Sequence, residues 1–182
     1  MLKPWRRLDS TRLQRCRVFD VDAVRFESPR GTGAETFYRI EAPDWINVIP
    51  LTADDHVLFV RQYRFGVEGF TLEIPGGMCD PGETPLESAH RELREETGHS
   101  AGEMIELGQV HPNPALQHNR CHSFLARDLI DHGEPQPDQH EEFEQQRIPL
   151  ARVGSLIAGG EITHSLVVAA FALFFLRQRP GQ

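Results

Sequence analysis

Gly77 to His99 reads GMCDPGETPLESAHRELREETGH, and this stretch decides the fold. Thr84 stands three residues before Glu87, the spacing at which the two side chains cap each other's free N–H groups at a helix start, and Pro85 takes the first helical position. Gly98 supplies the stop, since a residue without a Cβ enters the left-handed conformation that ends many helices. The spacing therefore predicts a helix over Thr84 to Thr97. On it, Glu92, Glu95 and Glu96 fall at i, i+3 and i+4 and share one face. Like charges at this spacing repel, and here they occupy the last turn, where the helix dipole is already negative. Two readings follow. The face is either solvated, with Arg91 and Arg94 partly neutralising it, or it holds a divalent cation. Clustered oxygen donors with no Cys or His among them suit Mg²⁺ or Mn²⁺ and disfavour zinc.

Upstream of the helix, Trp45 to Leu51 and His56 to Tyr63 read as apolar strands joined by a Thr-Ala-Asp-Asp turn, and Phe70 to Ile74 as a third strand ending in Pro-Gly-Gly. Downstream, Met104 to Val110 and Arg120 to Arg127 read as strands, Asp131 to Glu144 as an acidic loop, Gln146 to Leu150 as a short strand, and Thr163 to Arg177 as a closing helix. This order lacks a strict βαβ rhythm and points to an α/β (α+β) domain, a mixed sheet covered by helices. Before Trp45, Cys16 to Phe26 alternates like an exposed strand, Ser28 to Gly33 turns, and Glu35 to Glu41 alternates again. Residues 1–43 thus read as an antiparallel arm, and residues 44–182 as the main domain. An arm with so little core of its own must pack on the main domain or on a second subunit.

A length of 182 residues with 39% hydrophobic and 25% charged residues fits one globular domain and excludes collagen-like or wholly disordered chains. The formal charge of -8 argues against nucleic-acid polymers as partners. Its distribution is uneven: Gly77 to His99 carries six acids against two arginines, and Asp131 to Glu144 six acids with no Lys or Arg, so the remainder is mildly basic. Cys16, Cys79 and Cys121 form neither a CxxC pattern nor an even framework, and read as reduced thiols of a cytoplasmic protein. Met1 to Cys16 lacks the apolar region of a secretory signal, and the apolar run Leu166 to Leu176 is too short against the roughly 20 residues of a membrane span. No membrane association is expected.

The wider spacing is more specific than the glutamate face. Gly77, Glu83, Arg91-Glu92, Leu93, Glu95-Glu96 and Gly98 reproduce GX5EX7REUXEEXGU, with U apolar, and seven fixed positions at about 7% each would coincide roughly once in 10⁸ starting points. The stretch resembles the Nudix box, departing from it only where His99 stands at the last apolar position. The resemblance implies an α/β/α sandwich with a mixed sheet and a Mg²⁺-dependent hydrolase of nucleoside diphosphates linked to another moiety. By position, it implies that Glu92, Glu95, Glu96 and the carbonyl of Gly76 hold metal, that Arg91 braces the glutamates, and that Glu83 ties the loop to the helix.

Outside the box, three features resemble the ADP-ribose and nucleoside diphosphate sugar branch. Arg61-Gln62-Tyr63-Arg64 precedes LEIPGG, which gives Arg64 a diphosphate contact. Pro114 lies fifteen residues beyond His99, an offset that marks ADP-ribose pyrophosphatases in the family. HEEFEQQRIPL resembles the segment from which this branch draws its base, so Glu141, then Glu142, then Glu144 are candidates. The branch also implies a homodimer in which the arm of one subunit grips the base bound to the other. His111, His118 and His122 lie near Pro114 and read as surface or core residues, and Trp45 and Phe65 as core aromatics. Dinucleoside polyphosphates, coenzyme A derivatives and oxidised nucleotides are alternative substrates, and a non-catalytic nucleotide sensor is the alternative from another class.

Overall fold

The central apolar run is buried on both sides, and that organises the domain. A computed structural model describes residues 1–136 and 142–178. Strand β4 (Trp45–Pro50) lies between β7 (Gly76–Met78), antiparallel to it, and β9 (Cys121–Asp131), parallel to it. β8 (His99–Val110) pairs antiparallel with β9 and completes a mixed sheet of order β7-β4-β9-β8. Alternate side chains of a strand point to opposite faces. Ile46 and Val48 of β4 pack with Phe124 and Ala126 against Ala89 and Leu93 of helix α1 (Pro85–Thr97). Ile49 points the other way, into a larger cluster with Leu107, Leu125, Val153 and Leu156 of helix α2 (Leu150–Ala158), and Val167, Phe171 and Phe174 of helix α3 (Ser165–Arg177). Helices thus cover both faces of the sheet, the layering of an α/β/α sandwich.

The strand after β4 belongs to a different sheet. β5 (His56–Arg64) pairs antiparallel with β6 (Gly69–Glu73) and with β10 (Phe143–Pro149) in the order β10-β5-β6. The Thr-Ala-Asp-Asp turn therefore joins two sheets, with a bridge between Leu51 and Val57 at the junction. Helix α2 was not anticipated, because Pro149 enters it with no side-chain cap bond and its nine residues are short.

Residues 1–43 group with 111–120 as one compact unit, and 44–110 with 121–182 as another. In the first, β1 (Arg6–Arg15), β2 (Asp20–Glu27) and β3 (Ala34–Glu41) form an antiparallel sheet of that order. β1 was also missed in the sequence, which reads there only as polar and Arg-rich. All ten of its residues are exposed, and it is held by β2 and by ion pairs such as Arg6–Glu27 and Asp9–Arg25. The segment 111–120 joins this unit through the Ile40 amide, which donates to the Leu116 carbonyl at 2.8 Å, and through His118, whose Nε2 lies 3.0 Å from Glu41 Oε2. No helix among the described residues is long and apolar enough to cross a membrane.

The N-terminus of α1 carries the capping box read from the sequence: the Glu87 amide donates to Thr84 Oγ1 at 3.3 Å, and the Thr84 amide to Glu87 Oε2 at 2.8 Å. Thr84→Ala will cost about 1 kcal/mol. In urea unfolding this will lower the midpoint without changing the slope.

Candidate functional site

Glu92 and Glu96 are buried on α1, at 8% and 3% exposure, and a buried carboxylate needs partners. Arg91 supplies much of what the cluster requires. Its Nη1 donates to Glu92 Oε1 at 2.8 Å and to Glu95 Oε2 at 3.1 Å, and its Nη2 donates to the Met78 carbonyl at 3.0 Å. Its Nε and Nη2 also reach Glu83 at 3.2 Å, and Ser88 Oγ donates to Glu83 Oε2 at 2.7 Å. One guanidinium therefore ties the β7–α1 loop to the helix and separates three like charges. Hydrogen bonds from Arg91 and Ser88 hold the Glu83 carboxyl below its ordinary range. Burial opposes the Arg91 charge, but Glu83 and Glu92 outweigh it and raise its pKa further.

Glu96 is held differently: the Gly76 amide donates to its Oε2 at 3.0 Å. Gly77 leaves the space that Glu92 occupies, because a Cβ there would stand 2.2 Å from Glu92 Oε1. Gly98, at φ 72°, likewise allows close approach, since a Cβ would meet the Gly133 carbonyl oxygen at 1.9 Å. The structure thus gathers Gly76, Gly77, Glu83, Arg91, Glu92, Glu95 and Glu96 around one helix face. Among the described residues no three His, Cys, Asp or Glu side chains form a closed metal cage, and the glutamates are instead spread over Arg91 and the Gly76 amide. The donors still fit a hard divalent cation, being carboxylate oxygens beside a loop whose glycine admits one of them.

Arg64 sits in a second cluster. Its Nε and Nη2 donate to the two carboxylate oxygens of Glu73, both at 2.8 Å. Glu73 is 3% exposed and also accepts from Thr71 Oγ1 at 2.6 Å. His164, which caps α3 by accepting from the Leu166 amide, places Nε2 3.8 Å from Glu73 Oε2. Burial alone would raise the Glu73 pKa, but Arg64 and Thr71 overcome it and hold the carboxyl below its ordinary value. Sequence reading missed Glu73, Thr71 and His164. Glu73 lies in an alternating strand where a carboxylate reads as solvent-facing, and its partner is nine residues away.

The remaining candidates are dispersed. Pro114 is exposed, in the unit that contains the arm. Glu142 is exposed, Glu144 lies on β10 with Oε2 3.5 Å from Arg61 Nη1, and Glu141 lies outside the described residues. Gln136 and Gln145, on either side of residues 137–141, each bond to α1. The Gln136 amide donates to the Glu95 carbonyl at 2.9 Å, and Gln145 Nε2 donates to the Glu96 carbonyl at 2.7 Å. Phe65, read as a core aromatic, is 85% exposed, following the end of β5 with its ring edge-on to Tyr63. Trp45 is partly buried. His122 Nε2 lies 3.2 Å from Asp44, and His111 Nδ1 lies 3.4 Å from the Asn119 carbonyl. Burial pushes the Cys121 thiol up to about 12 and raises that of Cys79, so neither is a ready nucleophile.

A sequence profile of the NUDIX domain matches residues 43–171, a span that includes this helix and both sheets of the main domain. The chain belongs to the Nudix family. It is 30% identical over 167 residues to the ADP compounds hydrolase NudE of Escherichia coli, covering 90% of this chain and 87% of that protein. It is 27% identical to an ADP-ribose pyrophosphatase of Bacillus subtilis, covering 88% of this chain and 86% of the relative. A crystal structure of an ADP compounds hydrolase superposes with a TM-score of 0.84 at 29% identity, over 98% of this chain and 95% of the other. The Nudix fold read from the box is therefore present, and the protein is a Nudix hydrolase.

Two outcomes follow from the geometry. Gly77→Ala will displace Glu92 and cut hydrolytic turnover sharply while thermal unfolding stays close to the parent. Glu73 titrates below its ordinary 4.5 in the folded state. Its pairing with Arg64 therefore stabilises the fold fully above that value and is lost as pH falls through the lower folded-state pKa. Urea unfolding will show Glu73→Gln less stable than the parent at neutral pH, with the gap narrowing below about pH 4.

Proposed function

We propose that this protein hydrolyses the diphosphate bond of ADP-ribose or another nucleoside diphosphate sugar, giving a nucleoside monophosphate and a sugar phosphate. The observation that carries the reading is the glutamate face of α1, where Glu92 and Glu95 meet Arg91 and Glu96 meets the Gly76 amide, beside the glycines that leave room for them. The ADP compounds hydrolase and ADP-ribose pyrophosphatase that resemble most of the chain support the substrate class. So do the ADP-ribose pyrophosphatase of Mycobacterium tuberculosis and the mouse ADP-sugar pyrophosphatase, which match about three-quarters of it.

Glu92, Glu95, Glu96 and the Gly76 carbonyl would hold Mg²⁺, or Mn²⁺ in its place. A bound metal of this kind polarises a phosphoryl oxygen and lowers the pKa of a coordinated water. Arg91 orients Glu92 and Glu95, its fixed fork of donors setting their spacing. Arg64 meets the diphosphate charge. A glutamate of the acidic segment, Glu141 ahead of Glu142 and Glu144, takes the proton from the attacking water. Pro114 shapes the loop against the substrate.

The protein acts as a homodimer through the arm. The fully exposed β1 and the exposed Leu8, Leu13, Phe19 and Phe37 of the same unit support this, since an uncovered strand with apolar side chains invites a partner. Its compartment is the cytoplasm, a reading that rests on three widely spaced cysteines with neither a CxxC pattern nor an even framework.

With Mg²⁺ and ADP-ribose, the protein will release AMP and ribose 5-phosphate. Glu96→Gln will lower that turnover to background with its thermal unfolding intact. Near-parental turnover in Glu96→Gln would overturn the metal assignment, and a clear preference for nucleoside triphosphates would overturn the substrate class. Tight binding of ADP-ribose without hydrolysis would point to a sensor.

A further inference from the structure

The cluster around Glu73 has a geometry that salt-bridge stability alone does not require. Arg64 has a half-exposed side chain on a strand end, where arginines ordinarily sample several rotamers in water. Here the Nε and Nη2 edge is taken by a carboxylate that is almost fully buried. Bidentate pairing fixes the guanidinium plane as well as its position. The N–H groups on the Nη1 side then point away from Glu73 in a set direction.

Glu73 is itself held from three sides. Thr71 Oγ1 donates to Oε1 at 2.6 Å, in the same strand and on the same face. His164 approaches Oε2 from α3, with its Nδ1 accepting from the Leu166 amide at 3.3 Å. Because Nδ1 accepts, the neutral ring carries its proton on Nε2, the nitrogen that faces Glu73. Burial lowers the His164 pKa, with the Arg64 charge adding to that effect and Glu73 opposing it. At neutral pH the ring therefore contributes a dipole and leaves the full negative charge of Glu73 to Arg64.

We infer that Glu73, supported by Thr71 and His164, is a positioning residue that fixes the Arg64 guanidinium in the orientation in which it receives a diphosphate. The inference rests on the reading of Arg64 as the diphosphate contact. Glu73 does not touch substrate and acts only through Arg64. Pre-setting the rotamer removes the ordering cost from the binding step, which lowers KM more than it raises kcat.

A mutant cycle on the full chain separates the possibilities, with ADP-ribose as substrate in Mg²⁺ and thermal unfolding as the check of folding. Arg64→Ala will raise KM. Glu73→Gln will raise KM by roughly 10-fold, with kcat changed less than about threefold, as expected when a charged contact loses its set direction. Added to Arg64→Ala, Glu73→Gln will raise KM no further, because its effect passes through the missing guanidinium. If Arg64→Ala leaves KM unchanged, the diphosphate reading of Arg64 falls. If Arg64→Ala raises KM but Glu73→Gln does not, or if the two effects multiply, the positioning role falls while that reading stands. Should Glu73→Gln fail to fold, Thr71→Val takes its place. It keeps the ion pair, and its smaller rise in KM must vanish in the Arg64→Ala background for the role to survive.

Discussion

The functional face depends on one arginine. Three glutamates in the last two turns of a helix are an electrostatic liability, and two of them are buried, where the cost is greatest. Arg91, on the same helix, answers Glu92 and Glu95 and spends its remaining donors on the loop, through Glu83 and the Met78 carbonyl. Charge that would unwind the helix end is thereby converted into a tie between the helix and the loop before it. A lysine would be a poor substitute, because a single ammonium cannot span Glu83, Glu92 and Glu95 with fixed directions.

Everything beneath this face serves to present it. The strand β4 is apolar on both sides, so it can carry α1 on one face and α3 on the other. Its antiparallel neighbour β7 delivers Gly76 and Gly77 to the helix. The α3 layer contributes in turn, because the cap residue of that helix, His164, reaches the carboxylate that holds Arg64. The two ionic clusters thus stand on elements that share the central sheet or abut it, and each is built around a single guanidinium.

Local chemistry was legible in the sequence, and long-range chemistry was not. Thr84, Glu87 and Gly98 declare a helix with its ends because a capping box and a left-handed stop are decided within a few residues. The glutamate face follows from the helical period alone, and the family resemblance from its spacing. The split between sheets at Thr52 to Asp55 is invisible to such reading, since a turn looks the same whether its strands pair with each other or with distant partners. Strand β1 escaped because alternation betrays a strand only when one face is buried, and none of its residues is. Glu73 escaped for the complementary reason: alternation marks it as outward-facing, and only Arg64, Thr71 and His164 make its burial tolerable.

The anchors of the acidic segment also have a mechanical meaning. Gln136 and Gln145 donate to the carbonyls of Glu95 and Glu96, the same residues whose side chains form part of the anionic face. Those carbonyls belong to the unsatisfied end of the helix, so each bond caps α1 while it fastens the segment. Tension on either flank is therefore delivered to the peptide units of the glutamates themselves. Each glutamine thus couples its own stretch of chain to the helix end that carries the glutamates.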